Sequence, residues 1–184
     1  MAAEGGLSNR LSHTERESAM ERRDKINYYL DIAQTVSERT TCLRRRFGAI
    51  IVKNDSIIST GYVGAPRGRA NCNDLGQCRR DLLNVPRGQR YELCRSVHAE
   101  QNAIIAASRE EMLDSALYLA CVNAKTEELE QGTSPCDLCR RFIINAGIRD
   151  VYVRETRDTY SHYRVADWVA EDDVLPEELL STYK

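Results

Sequence analysis

The sequence predicts one α/β domain, a three-layer α/β/α sandwich around a mixed central sheet. Helical hydrophobic periodicity alternates along the chain with short β-rich runs, which is the pattern of an α/β fold. Two of the β-rich runs flank a two-residue turn at Asn54-Asp55, and this spacing indicates an antiparallel hairpin. The chain has 184 residues, of which 42% are hydrophobic, so it is long enough to bury one core.

Each element follows from a local pattern in the chain. Apolar residues at helical spacing predict the first helix over residues 24–39. Gly147 suits the C-cap of the third helix, and Pro135 suits the first helical turn, where its missing N–H costs nothing. The other predicted elements are strands over 47–53 and 56–62, a helix over 97–108, a strand over 116–122, a helix over 136–146 and a strand over 148–153.

The chain divides into three parts by composition. We expect a flexible polar tail over residues 1–20, the domain over 21–160, and a C-terminal extension with a short helix over 161–184. Within the domain, residues 63–96 are rich in Gly, Pro, Arg and Cys and show little periodicity. So long an insert needs something to order it, and a bound metal would do so.

Composition excludes several classes of protein. The net charge of −2 lacks the basic footprint of a nucleic-acid binder, so we expect no nucleic-acid partner. There is no apolar run long enough for a membrane span, and the N-terminus lacks the apolar segment of a secretion signal, so we expect a cytoplasmic protein. Seven cysteines, an odd number, then favour metal binding over a disulfide framework.

Two short motifs carry the chemistry. One is His98-Ala99-Glu100, and the other is Pro135-Cys136-Asp137-Leu138-Cys139. Together they offer one imidazole and two thiolates, which suit a catalytic zinc that keeps an open position for water. Each motif opens a predicted helix, and Cys136 and Cys139 are spaced to share a helix face. The H-x-E…P-C-x-x-C pattern is the general signature of zinc-dependent nucleobase deaminases.

Glu100 has a separate predicted role from the three ligands. It is too close to His98 along one helical turn to bind the same metal easily, but it can reach a water molecule and a ring nitrogen. We therefore expect Glu100 to move protons during hydrolytic deamination of a pyrimidine. Alone, either motif has an ordinary explanation: H-x-E arises by chance, and C-x-x-C also occurs in redox pairs and structural zinc sites.

Four further cysteines predict a second, structural zinc site, formed by Cys42, Cys72, Cys78 and Cys94. Four thiolates on one zinc would order the 63–96 stretch. The alternative is that these cysteines are small hydrophobic residues without a ligand. Arg67 has two explanations as well: it binds a phosphate beside a glycine-rich loop, or it lies on an exposed loop.

Three runs give the chain a family resemblance: GYVGAPRGRANC (61–72), ELCRSVHAEQNAI (92–104) and PCDLCRRFIINAGIRDVYV (135–153). They resemble the deoxycytidylate (dCMP) deaminases, above all the late-competence-operon branch of bacteria. The resemblance implies a cytidine-deaminase-like fold, hydrolysis of dCMP to dUMP and ammonia, and assembly into homo-oligomers, dimers or hexamers. It also implies zinc at both ligand sets, with the base held by the Ala99 backbone and the Ser134 carbonyl.

One position departs from the family pattern. The family reads G-Y-N-G, with an Asn that contacts the sugar, but this chain has Val63 there, which cannot hydrogen-bond through its side chain. Residues 124–134 also form a longer insertion than the family pattern leads us to expect. The alternatives are therefore a deaminase of a different or modified nucleobase, an editing deaminase of polynucleotides, or a non-catalytic zinc-binding regulator. Near-neutral charge argues against the editing enzyme, and Glu100 argues against the regulator.

Overall fold

The computed structural model describes residues 22–86 and 88–171, and the predicted 1–20 tail lies outside them. Five strands form one sheet in the order β2-β1-β3-β4-β5. Neighbouring strands are antiparallel except β3 and β4, which are parallel, so the sheet is mixed as predicted. The strands are β1 (Arg45–Lys53), β2 (Ser56–Tyr62), β3 (Ala116–Asn123), β4 (Asp150–Arg154) and β5 (Tyr160–Arg164).

Seven α-helices lie within the described ranges. The longer ones begin where the sequence placed them, to within about two residues. They are α1 (Lys25–Ser37), α2 (Cys72–Leu75), α3 (Arg79–Leu82), α4 (Ala99–Ile105), α5 (Arg109–Met112), α6 (Asp137–Ala146) and α7 (Val165–Ala170). No helix in these ranges is both long and apolar enough to cross a membrane.

The helices cover the two faces of the sheet, which makes the three layers. Along β1, Ile50 packs with Leu30 of α1, while Ile51 packs in a separate cluster with Ala103 of α4 and Ile143 of α6. Successive strand residues point to opposite faces, so α1 lies on one side of the sheet and α4 and α6 lie on the other. The predicted sandwich is confirmed.

Two glycines bring a helix close to each face. A Cβ on Gly48 would lie 2.1 Å from the Ala33 carbonyl oxygen of α1. A Cβ on Gly61 would lie 2.2 Å from the Ala99 oxygen and 2.3 Å from the Ala103 nitrogen of α4. Only glycine allows such an approach. Gly61 therefore sets the depth of α4, the helix that follows His98.

Two regions differ from the sequence expectation. The 63–96 stretch contains α2, α3 and a 3-10 turn (Tyr91–Leu93), where we expected little regular structure. Its hydrogen bonds include those from the buried Arg80 to the carbonyls of Pro86 and Gln89, 2.9 and 2.6 Å long. Strand β5 was not predicted, because its exposed edge carries mostly polar and aromatic residues and lacks an apolar run.

Candidate active site

Three predicted ligands meet where α4 and α6 begin. His98 is the N-cap of α4, Cys136 is the N-cap of α6, and Cys139 lies in the first turn of α6. The His98 Nδ1 atom is 3.5 Å from the Cys136 Sγ and 3.3 Å from the Cys139 Sγ. The two helices pack side by side on the sheet, so the core fixes the relative positions of the helix starts that carry the three side chains.

These separations fit a zinc ion. Zinc bonds of about 2.3 Å to sulfur and 2.0–2.1 Å to nitrogen, at a tetrahedral angle, put the two ligand atoms about 3.5 Å apart. The observed distances of 3.5 and 3.3 Å are close to that value. Within residues 22–86 and 88–171, this is the one group of three or more His, Cys, Asp or Glu ligand atoms that lie within 4.8 Å of one another.

Glu100 lies beside the ligand group, in the first turn of α4. Glu100 is only 4% exposed, and it lines the same cavity as His98 and Cys136. Burial raises the pKa of the Glu100 carboxyl, and the charge of His98 opposes that rise. A buried carboxylate with a raised pKa is suited to accept and return a proton, which is the role predicted for Glu100.

The pKa values of the two thiols are shifted in opposite directions. A hydrogen bond from the Cys139 thiol, together with one to His98, lowers the pKa of Cys136 to about 4. The same hydrogen bond raises the pKa of Cys139, as does its burial. Zinc binding would require both thiols to be deprotonated, and the environment of Cys136 favours its thiolate.

The ligands open into a cavity of about 760 Å³. Val63 and Ser134 line it. Ala99 is fully buried at the start of α4, between Glu100 and His98. Arg67 is exposed and is not among the residues that line the cavity.

Other arginines line the cavity, and the sequence analysis gave them no role at the site. Seven cationic side chains and four carboxylates face it, so the cavity is electropositive. Arg44 pairs with Asp81 at 3.2 Å and Arg45 with Glu130 at 2.9 Å. The cationic residues of the lining are spread from residue 44 to residue 140, so no local sequence pattern shows that the fold brings them together. An electropositive cavity suits an anionic ligand.

A tyrosine links the 63–96 stretch to the ligand group. The Tyr91 ring packs edge-on against the His98 ring, with 5.0 Å between centroids. The Arg80 guanidinium stacks on Tyr91, 4.8 Å from its centroid. A lone aromatic in a loop gives no sequence signal for this contact.

The four other cysteines line the same cavity but do not converge. Within the described ranges, no three of the Cys42, Cys72, Cys78 and Cys94 sulfurs lie within 4.8 Å of one another. Burial raises the pKa of Cys42, and its neighbours Cys94 and Cys72 add to the rise. Cys121 is fully buried in β3, as predicted for a core residue.

An α/β/α sandwich that presents one imidazole and two thiols to a cavity, beside a buried carboxylate, has the arrangement of a metal-dependent hydrolytic enzyme. Residues 23–155 match the family model of the cytidine and deoxycytidylate deaminase zinc-binding region. The chain belongs to this family, as its three sequence runs indicated.

Named relatives agree with the family match. The chain is 33% identical over 136 residues to the deoxycytidylate deaminase of Schizosaccharomyces pombe, covering 74% of this chain but 38% of that protein. It is 36% identical over 143 residues to the deoxycytidylate deaminase of Mycobacterium phage D29, covering 74% of this chain and all of that protein. ComE operon protein 2 of Bacillus subtilis is 30% identical over 143 residues, 78% of this chain and 66% of that protein.

One solved relative has both a nucleotide substrate and a product in its crystal. This is the dCMP deaminase of cyanophage S-TIM5 in complex with dCMP and dUMP. It is similar to this chain with a TM-score of 0.50 and 29% identity, covering 73% of this chain and 85% of that one.

Proposed function

We propose that the protein hydrolyses the exocyclic amine of a cytosine nucleotide, with dCMP and water giving dUMP and ammonia. The main support for the proposal is that the His98 Nδ1 atom lies 3.5 Å from the Cys136 Sγ and 3.3 Å from the Cys139 Sγ. The buried Glu100 carboxylate lies beside this group. The family and its deoxycytidylate deaminase members support the same chemistry.

His98, Cys136 and Cys139 would hold zinc in this proposal, and the ion would supply Lewis-acid activation of water when bound. Glu100 accepts the proton of the attacking water and delivers it to the ring nitrogen next to the reacting carbon. After attack, Glu100 carries a proton to the departing amine, which leaves as ammonia. Its buried position excludes bulk water from these transfers.

Backbone groups and cavity cations would orient the nucleotide. We assign the Ala99 N–H to the base carbonyl and the Ser134 carbonyl to the exocyclic amine, as the family resemblance implies. For the phosphate, Arg79 and Arg95 are better candidates than Arg67, because both line the cavity. Among the described residues, neither Arg79 nor Arg95 has a carboxylate partner, so each can pair with an anion.

Three further assignments belong to the proposal. Cys42, Cys72, Cys78 and Cys94 bind a second, structural zinc, which draws their loops together. The working form is a homo-oligomer, a dimer or hexamer. The substrate is a free nucleotide, with no nucleic-acid or membrane partner, in the cytoplasm.

A second candidate keeps the reaction but changes the substrate. Val63 lines the cavity where the family has an Asn, and it is 7% exposed and packed into the core. The apolar Val63 side chain would fit a different or modified nucleobase, or a nucleotide with an apolar group near Val63, better than it would fit dCMP. A regulator that only binds zinc would have no use for a buried carboxylate such as Glu100.

The test is a panel of aminated bases, nucleosides and nucleotides, assayed for ammonia with zinc-loaded and zinc-stripped protein. We expect release from dCMP that requires zinc, with dUMP as the product. Release from another aminated compound, but not dCMP, would support the second candidate. Ammonia release from no compound would contradict both.

A further inference from the structure

Residues 124–134, the insertion between β3 and the Pro135-Cys136 motif, form an ordered wall of the cavity. The segment folds back on the end of β3, where the Glu130 N–H donates to the Cys121 carbonyl at 2.9 Å. The Asn123 N–H donates to the Glu128 carbonyl at 2.8 Å, and Val122 forms a β-bridge with Leu129. The insertion therefore has a defined position beside the ligand group.

This fold brings one carboxylate of the insertion to the cavity. Glu130 lines it, with its side chain 18% exposed. One carboxylate oxygen accepts from Asn123 Nδ2 at 2.7 Å, and the other accepts from Arg45 Nη2 at 2.9 Å. A carboxylate has about four acceptor positions, so each oxygen keeps capacity for one more donor. The two contacts fix the group and leave it able to accept from a ligand.

The sheet relates this carboxylate to Val63. The Val63 N–H donates to the Phe47 carbonyl at 3.2 Å, so Val63 lies next to Phe47. Arg45 lies two residues before Phe47 on β1, on the same face and about 7 Å along the strand. Asn123 pairs with Arg45 across the ladder. The wall thus runs from apolar Val63, past Phe47, to the polar group of Arg45, Asn123 and Glu130.

The charges of Arg45 and Glu130 determine which chemical group of a ligand can bind beside Glu130. Arg45 neutralises Glu130, so the pair offers hydrogen-bond acceptors without net charge. A phosphate would meet the carboxylate oxygens and be repelled, whereas Arg79 and Arg95 line the same cavity with no carboxylate partner in the described ranges. A neutral hydroxyl, which donates one hydrogen bond, is the better match for Glu130.

We propose that Glu130 accepts a hydrogen bond from a sugar hydroxyl of the bound pyrimidine nucleotide, with Arg45 and Asn123 as positioning residues that hold its carboxylate. This inference rests on the proposed nucleotide deamination.

The test compares Glu130→Gln with Glu127→Gln, a matched control. Glu127 lies in the same insertion and pairs with Arg46 at 3.4 Å, but it is 73% exposed and lies outside the cavity lining. The ligands are dCMP and its 3′-deoxy analogue, for turnover, with dUMP and its 3′-deoxy analogue for equilibrium binding by calorimetry. Glu130→Asp is a second variant, whose shorter side chain keeps the negative charge but moves the carboxylate oxygens away from the cavity. Thermal melts check the fold of each protein.

We expect both Glu130 variants to raise KM for dCMP and Kd for dUMP by about tenfold, with kcat nearly unchanged. The 3′-deoxy ligands and the Glu127→Gln protein should show no such change. An equal loss for both ligand types, or no loss, would overturn the role of Glu130 while leaving deamination intact. A wild-type protein that neither binds nor deaminates any of these nucleotides would overturn both proposals.

Discussion

The two cysteine-containing regions of the cavity differ in how their ligands are held. His98, Cys136 and Cys139 sit at the starts of α4 and α6, helices that pack into the core. Cys72 and Cys78 belong to helices of four residues or their caps, and Cys94 ends a 3-10 turn. The ligand atoms of the first set lie within 4.8 Å of one another, and within residues 22–86 and 88–171 no three sulfurs of the second set do. We call the first set, which core helices position, the preassembled region, and the second set, which lies on short helices and a turn, the loop-held region.

Glu100→Gln should have the largest effect within the preassembled region. Because Glu100 handles protons and does not bind the metal, the variant should keep its zinc while kcat falls at least 10²–10⁴-fold. Metal analysis and ammonia release on one preparation measure both. Glu92→Gln, an exposed carboxylate in the 3-10 turn, is the control. Activity near that of the wild type in Glu100→Gln would remove the proposed mechanism.

Cys78→Ser tests the loop-held region. If four cysteines bind zinc there, the metal content should fall from two per chain to one, and Tm should drop by several degrees. A loss of about 1 kcal/mol shifts Tm by about 2–4 °C in a chain of this size. Cys121→Ala, in the core of β3, should keep both ions. One zinc per chain in the wild type, unchanged in Cys78→Ser, would argue against a second site.

Tyr91→Leu tests the contact between the two regions. The Tyr91 ring packs on His98 and helps to orient its imidazole. Its loss should weaken zinc binding at the catalytic site by about tenfold, which is the lower end of the effect of removing a group that orients a metal ligand. Competition with a chelator of known affinity gives the zinc Kd. Tyr28→Leu removes an exposed ring of α1 and should change nothing. Equal affinities in all three proteins would mean that the core alone fixes His98.

Val63→Asn should have the smallest effect. The family resemblance implies an asparagine at this position that contacts the sugar. One added hydrogen bond of about 1 kcal/mol should raise kcat/KM for dCMP about fivefold. Val63→Leu, which stays apolar, should show no gain. If the wild type already deaminates dCMP efficiently and Val63→Asn lowers that rate, other residues of the site compensate for the missing asparagine, and the prediction is wrong.

The sequence predicted the preassembled region better than the loop-held one. Helix periodicity and two dense motifs were enough to place His98 and Cys136 at helix starts, because the spacing between ligand and helix is local. The contacts of Arg45, Arg80 and Glu130 depend on strand register and loop path, which no local pattern encodes. Strand β5 was missed for a related reason: an edge strand needs no continuous apolar run.

Zinc K-edge X-ray absorption of the Cys78→Ser protein, loaded with one equivalent of zinc, tests the central claim most directly. If His98, Cys136 and Cys139 are the ligands, the spectrum should show two sulfurs at about 2.3 Å and nitrogen or oxygen ligands at about 2.0–2.1 Å. Four sulfur ligands, or none, would contradict the site on which the proposed deamination rests.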